Sequence, residues 1–122
     1  MEDYPLALII EDEEDLAAIF SRVLEMAKFK TEIALDGGIA LERLDTITPN
    51  LVVLDLHLPQ ISGADILHKI RASERLAETR VVIVTADLIQ AEALEAQVDA
   101  VLIKPIRINQ LLEVTNRLYP SG

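Results

Sequence analysis

At 122 residues the chain has the length of one ordinary domain, enough to bury about two-thirds of its unfolded surface. Its 21 acidic residues against 11 basic ones give a formal charge of -10, which disfavours nucleic-acid backbones and anionic membrane surfaces as partners. There is no cysteine, so disulfides and thiolate metal ligation are excluded. That fits a reducing cytoplasm, and no apolar run approaches the length of a membrane span.

Leu6 to Ile10 reads as a first strand buried on both faces, and it runs directly into Glu11-Asp12-Glu13-Glu14-Asp15. Leu16, Ile19, Phe20, Val23, Leu24 and Ala27 follow at helical spacing, the stripe of a helix packed on a sheet with acids in its first turn. Thr31 to Leu35 is a short second strand, and Asp36-Gly37-Gly38 turns the chain into a helix carrying Ile39, Ala40, Leu41 and Leu44. Thr48-Pro49-Asn50 ends that helix before Leu51-Val52-Val53-Leu54-Asp55-Leu56-His57-Leu58-Pro59. Four consecutive aliphatics mark a central strand of a parallel sheet, and this one delivers an aspartate to its carboxyl end.

Ser62-Gly63 opens a third helix to about Ala72, with Ile66, Leu67 and Ile70 as its apolar stripe. Val81 to Val84 is a fourth strand ending in Thr85-Ala86-Asp87, before a helix carrying Leu88, Ala91 and Leu94. Ala100 to Ile103 is a fifth strand ending in Lys104-Pro105, and Ile108, Leu111, Leu112, Thr115 and Leu118 mark the last helix. Five strands alternating with five helices predict a single flavodoxin-like α/β domain over 1–122. It would be a doubly wound parallel sheet in the order 2-1-3-4-5, with Pro120 to Gly122 a frayed tail.

In that order the first and third strands are neighbours, so Glu11, Asp12 and Asp55 converge at the switch point, with Thr85 and Lys104 standing at the next two strand ends. Like charges at about 4 Å repel by roughly 4 kcal/mol at an effective dielectric near 20, so such a cluster calls for a cation. Lys104 can neutralise one charge. A hard divalent ion with oxygen ligands can take the others, which suits Mg²⁺, with Mn²⁺ able to substitute. A phosphoryl donor then makes sense of every group, with the ammonium and the Thr85 hydroxyl on phosphoryl oxygens and Asp55 as nucleophile forming an aspartyl-phosphate. Read singly, Glu11 and Asp12 could also cap the first helix, and Thr85 and Lys104 could be ordinary strand and surface residues. His57 has no second nitrogen ligand nearby in sequence and reads as lining the rim, and His68 as surface.

Glu11-Asp12, Leu-Asp-Leu-His-Leu-Pro around Asp55, Ser62-Gly63, Thr85-Ala86 and Lys104-Pro105 together resemble the receiver domain of bacterial response regulators, the chemotaxis-regulator-like family. The resemblance spans almost the whole chain. It implies that Asp55 accepts phosphate from a sensor histidine kinase or phosphotransfer protein, in a signalling phosphoacceptor that promotes its own phosphorylation and dephosphorylation. It further implies that Asp12 and Asp55 ligate Mg²⁺ directly, with Glu11 acting through water and the His57 backbone carbonyl as a further ligand. A cis peptide before Pro105 is implied too, and a switch surface that includes Thr85, Ala86, Val101 and Pro105.

Departures concern output. Val101 stands where the family usually has Tyr or Phe, Ile106 replaces the usual Phe after Lys-Pro, and Gln97-Val98 replaces a Gly-Ala pair. The stretch from Thr85 to Lys104 is short, suggesting a trimmed fourth helix. The downstream protein is not identified, and a homodimer through the last helix stays open. Two other classes remain: a receiver-like interaction adaptor without the chemistry, and a flavodoxin-type nucleotide binder. The five acids after the first strand oppose the latter, because they would repel phosphate.

Overall fold

The strands form where aliphatic residues run together, and the helices where such residues recur at helical spacing. In the computed structural model, which describes residues 3–120, these alternate as β1 (Leu6–Ile10), α1 (Glu14–Met26), β2 (Lys30–Ala34), α2 (Gly37–Thr46), β3 (Leu51–Asp55), α3 (Gly63–Ala72), β4 (Arg80–Thr85), α4 (Leu88–Leu94), β5 (Ala100–Ile103) and α5 (Ile108–Leu118). All pairings are parallel and the sheet order is β2-β1-β3-β4-β5, the doubly wound arrangement expected from the sequence. Of the frayed tail expected over Pro120 to Gly122, the last two residues lie outside the described ones.

Strand alternation divides the core into two layers. Leu8, Ile10, Val52, Leu54, Val81 and Ile83 pack with Ala40, Leu44, Ile66, Leu67 and Ile70 of α2 and α3. Ala7, Ile9, Leu51, Val53, Val82 and Val84 pack with Ala17, Phe20, Val23 and Leu24 of α1 and Leu111 and Val114 of α5. β3 is buried from Leu51 through Asp55, so it contributes to both layers at once.

Short polar side chains start three of the helices. Asp36, Ser62 and Asp87 accept hydrogen bonds from the amides of Ile39, Asp65 and Gln90 at 2.8, 3.2 and 3.0 Å, each satisfying an amide the first turn leaves open. The N-cap of α1 falls on Glu13, whose side chain makes no capping bond. At the amino end of the sheet the Arg71 guanidinium donates to the carbonyls of Thr79 and Gln97, both at 2.8 Å, and pairs with Asp99 at 3.2 Å. This clamp joins α3 to the connection entering β5.

Several details differ from expectation. The second strand runs over Lys30–Ala34 rather than Thr31 to Leu35, because its ladder follows β1 from Leu6 opposite Lys30. Ile19 and Ile108, assigned to packed stripes, are 47% and 55% exposed, and Leu88 is 60% exposed. Ile39, expected on the α2 stripe, is likewise 37% exposed. Two 3-10 turns, Glu74–Leu76 and Glu95–Gln97, were not foreseen. The second continues α4, which is itself only seven residues long, as the short spacing suggested.

Candidate functional site

Three strand ends and their backbone bonds build the site. Glu11 leaves β1 with its amide donating to the Ala34 carbonyl at 3.1 Å, so sheet pairing holds it one residue past the strand. Asp55 closes β3 opposite Val84. The Lys104 amide donates to the Thr85 carbonyl at 2.8 Å, and the Lys104–Pro105 peptide is cis, the geometry the resemblance implied. α3 begins hard against β3: a Cβ built on Gly63 would lie 2.5 Å from the Asp55 carbonyl oxygen and 2.6 Å from the Leu56 Cα. Only glycine permits that approach.

The Lys104 Nζ stands between two buried carboxylates, 3.2 Å from Glu11 Oε1 and 3.4 Å from Asp55 Oδ2. Glu11 Oε2 accepts from the Glu13 amide at 3.2 Å, and Asp55 Oδ1 from the His57 amide at 3.0 Å. The second bond folds the chain after β3 back onto the carboxylate. Burial pushes the Glu11 carboxyl up to about 7, with the Asp55 charge adding to the rise, and the Glu13 amide and Lys104 opposing it. Burial would lower the Lys104 ammonium, but Asp55 and Glu11 outweigh it and hold the group above its ordinary value. The lysine therefore remains a cation while the acid beside it is reluctant to ionise.

One ammonium does not balance three acids. Carboxylate oxygens of Glu11, Asp12 and Asp55 all lie within 4.8 Å of one another, and Asp12 is exposed at the mouth. Hard oxygen donors gathered at that spacing, with surplus negative charge, fit a divalent cation of the Mg²⁺ kind. The His57 amide contact brings the residue 57 backbone beside the same carboxylate, where its carbonyl could join the set.

Glu11, Asp12, Asp55 and Lys104 thus meet at one point. Thr85 is buried nearby but its hydroxyl is otherwise engaged: Oγ1 accepts from the Asp87 amide at 3.1 Å, and among the described residues no hydrogen bond joins that hydroxyl to the side chain of Asp55 or Lys104. The His57 ring is exposed, with Nε2 3.6 Å from Asp87 Oδ2, on the rim as expected; His68 is exposed on α3. Val101 is half-buried on β5 against the α2/α3 core layer, and Ala86 is exposed. Sequence reading passed over Asp87. The Asp-x-x-Gln spacing of Asp87 and Gln90 at the start of α4 was the available signal. The reason for Gly63 is a tertiary contact and had no local signature.

A fold of this topology with an acid cluster and a lysine at the switch point defines a class, and comparison with known proteins identifies it. The sequence profile of the response regulator receiver domain matches residues 7–116, and the chain belongs to that family, the receivers of two-component systems. It is 34% identical over 108 residues to response regulator ArlR of Staphylococcus saprophyticus, covering 86% of this chain and 48% of that protein. It is 34% identical over 119 residues to the Regulator of RpoS of Escherichia coli K12, covering 93% of this chain and 35% of that protein. The receiver domain structure from Methylobacillus flagellatus superimposes with a TM-score of 0.84 at 30% identity, over 95% of this chain and 99% of that one. The chain spans between 11% and 48% of the length of the first curated relatives it matches. Receiver domains are phosphoacceptors that take a phosphoryl group from histidine kinases and bind Mg²⁺ at acidic residues. No helix among the described residues is long and apolar enough to cross a membrane.

Proposed function

We propose that residues 1–122 act as one receiver domain in which Asp55 is the phosphoacceptor, taking its phosphoryl group from a sensor histidine kinase or phosphotransfer protein in the cytoplasm. A carboxylate oxygen of Asp55 attacks phosphorus in line, the bond to the donor's imidazole nitrogen breaks, and the imidazole leaves with the bonding pair. The observation that carries this reading is the Lys104 ammonium bridging Asp55 and Glu11 inside a cluster of three converging acids. Lys104 is placed to neutralise an incoming phosphoryl oxygen. Thr85, at the next strand end, supplies a hydroxyl to a second one.

Glu11, Asp12, Asp55 and the His57 carbonyl would hold Mg²⁺, for which Mn²⁺ substitutes. The ion supplies the positive charge that lets an anion approach an anion. The same geometry, with water as nucleophile, hydrolyses the aspartyl-phosphate, so the domain promotes its own dephosphorylation. Ile19 of α1 and Ile108 of α5, both half-exposed, give the phosphodonor an apolar seat, and a homodimer through α5 would compete for it. The downstream protein reads the surface around Thr85, Ala86, Val101 and Pro105.

Acetyl-phosphate labelling tests the chemistry. Wild type with Mg²⁺ should incorporate about one acid-stable, base-labile phosphate per chain, whereas Asp55→Asn, or wild type with chelator, should incorporate almost none. A wild type that stays unlabelled with donor and metal in excess would make the chain an interaction adaptor instead.

A further inference from the structure

The outer face of α4 is apolar and acidic together. Leu88 and Ile89 are 60% and 83% exposed, and Ile89 is the barest large apolar side chain among the described residues. α4 runs on into the 3-10 turn Glu95–Gln97, so Ile89, Ala93 and Ala96 fall at i, i+4 and i+7 and form one narrow apolar stripe, exposed throughout. Glu92 and Glu95 are exposed alongside, and neither is in an ion pair among the described residues.

The same side of the sheet carries a feature that complements it. Between the carboxyl-terminal halves of α2 and α3 lies a groove of about 490 Å³, with Leu41, Leu44, Ile70 and Leu76 as its aliphatic base. Lys69 and Arg75, both exposed, border it. Arg75 donates to the carbonyls of Leu44 and Ile47 and to the Thr48 hydroxyl, all neutral partners, and Lys69 is in no ion pair among the described residues. Asp45 is the one acid in the lining, so the groove is cationic on a chain whose formal charge is -10.

Both surfaces belong to one helical layer: Leu94 of α4 shares the core cluster of α2 and α3, and the sheet order with right-handed crossovers sets α3 between α2 and α4. A two-fold axis over α3 therefore lets two copies exchange the contact, each giving α4 and each receiving it, as a closed symmetric dimer requires.

We propose that the α2/α3 groove receives α4 of a second copy of this chain, with the Ile89 stripe on the aliphatic base and Glu92 and Glu95 facing Lys69 and Arg75. The apolar contact supplies the affinity and the charges fix which way the helix lies. Two chains of this net charge repel at long range, but at 0.15 M salt that repulsion is screened within about 8 Å, while pairs in contact keep their attraction. A docked copy covers Leu88 and Ile89, which border the mouth of the site with His57 and Ala86, and so closes α4 to any other partner. The inference does not depend on Asp55 accepting phosphate.

The test is sedimentation of the full chain at about 0.15 M salt, from about 10 μM to about 1 mM, the range suited to a small interface. The average mass of wild type should rise with concentration to that of a dimer and no further. Ile89→Gln, which removes the apolar anchor, and Lys69→Glu, which sets like charge against Glu92, should each weaken association at least about tenfold. Both positions are exposed, and circular dichroism should show the fold unchanged. Mixed in equal amounts, the two variants should associate better than either alone, because the intact groove of one takes the intact α4 of the other. A wild type that stays monomeric to about 1 mM, or that grows past the dimer, overturns the inference. So does a mixture that associates no better than its components. Association lost in Ile108→Ser and kept in Ile89→Gln places the contact on α5 and overturns it too.

Discussion

Lys104 shares one ammonium between two buried carboxylates, so removing it has opposite effects on metal binding and on phosphoryl transfer. Lys104→Met deletes a competing cation, and Mg²⁺ should bind several-fold more tightly, measured by calorimetry. Acetyl-phosphate labelling should fall about 10²- to 10³-fold, the scale for losing one preorganised charge on the reacting group. Glu11 sets a pH dependence. Its carboxyl, driven up to about 7 by burial above all, binds protons more tightly in the folded chain than in the unfolded one. Its stabilisation of the metal-free protein is complete below about pH 4.5 and is lost as pH rises through about 7, by on the order of 3 kcal/mol. Metal-free wild type should therefore melt progressively lower across that window, and Glu11→Gln should show a flatter profile. A proton on Glu11 also competes with metal, so Mg²⁺ affinity at pH 6 should be about tenfold weaker than its plateau above pH 7, a difference absent in Glu11→Gln.

At the scale of elements, the carboxyl end of β3 and the start of α3 are one joint. The Gly63 amide donates to the Leu56 carbonyl at 3.1 Å, and a Cβ at Gly63 would meet backbone that has no room to yield. Gly63→Ala should cost about 1–3 kcal/mol in urea denaturation, as overpacking does, and should slow labelling because the strain falls on Asp55. Gly38→Ala is the contrast. Its Cβ would meet only the Asp36 Oδ1, at 3.4 Å, so the gain in helix propensity should prevail, with stability rising by about 0.5–1 kcal/mol and labelling unaltered. α4 and α3 differ in the same way: α3 buries Ile66, Leu67 and Ile70 along its length and is clamped at its far end by Arg71, whereas α4 buries two side chains. A helix with three large buried aliphatics thus stands behind Asp55, and one with two buried side chains follows β4.

For the molecule as a whole, stability should follow the two core layers on either side of β3. Leu54 is fully buried between β1, β4 and the α2/α3 layer, and Leu54→Ala should cost about 2–5 kcal/mol through lost transfer energy and an unfilled cavity. Ile108→Ala, on a half-exposed side chain, should cost under about 0.5 kcal/mol in the same denaturation series. The first change also loosens the strand that carries Asp55, so labelling should fall with stability. In the second, labelling by acetyl phosphate should stay level while transfer from a protein donor weakens, if that donor sits on Ile108.

Much of this was legible in the chain. Aliphatic runs such as Val52-Val53-Leu54 announce doubly buried strands, the stripe from Leu16 to Ala27 announces a sheet-packed helix, and their alternation leaves few topologies. Charged residues at strand ends are visible in sequence because a buried run seldom terminates in one without a reason. Sequence could not show that Lys104 would touch Glu11 as well as Asp55, that Thr85 would turn toward Asp87, or that Gly63 would abut the Asp55 carbonyl. Nor could it show where Ile19 and Ile108 would be left bare. Those outcomes depend on distances between segments far apart in the chain. Local periodicity sets which face of each element is apolar. Contacts between residues dozens of positions apart exist only once the sheet has closed and its twist and register have brought the strand ends together.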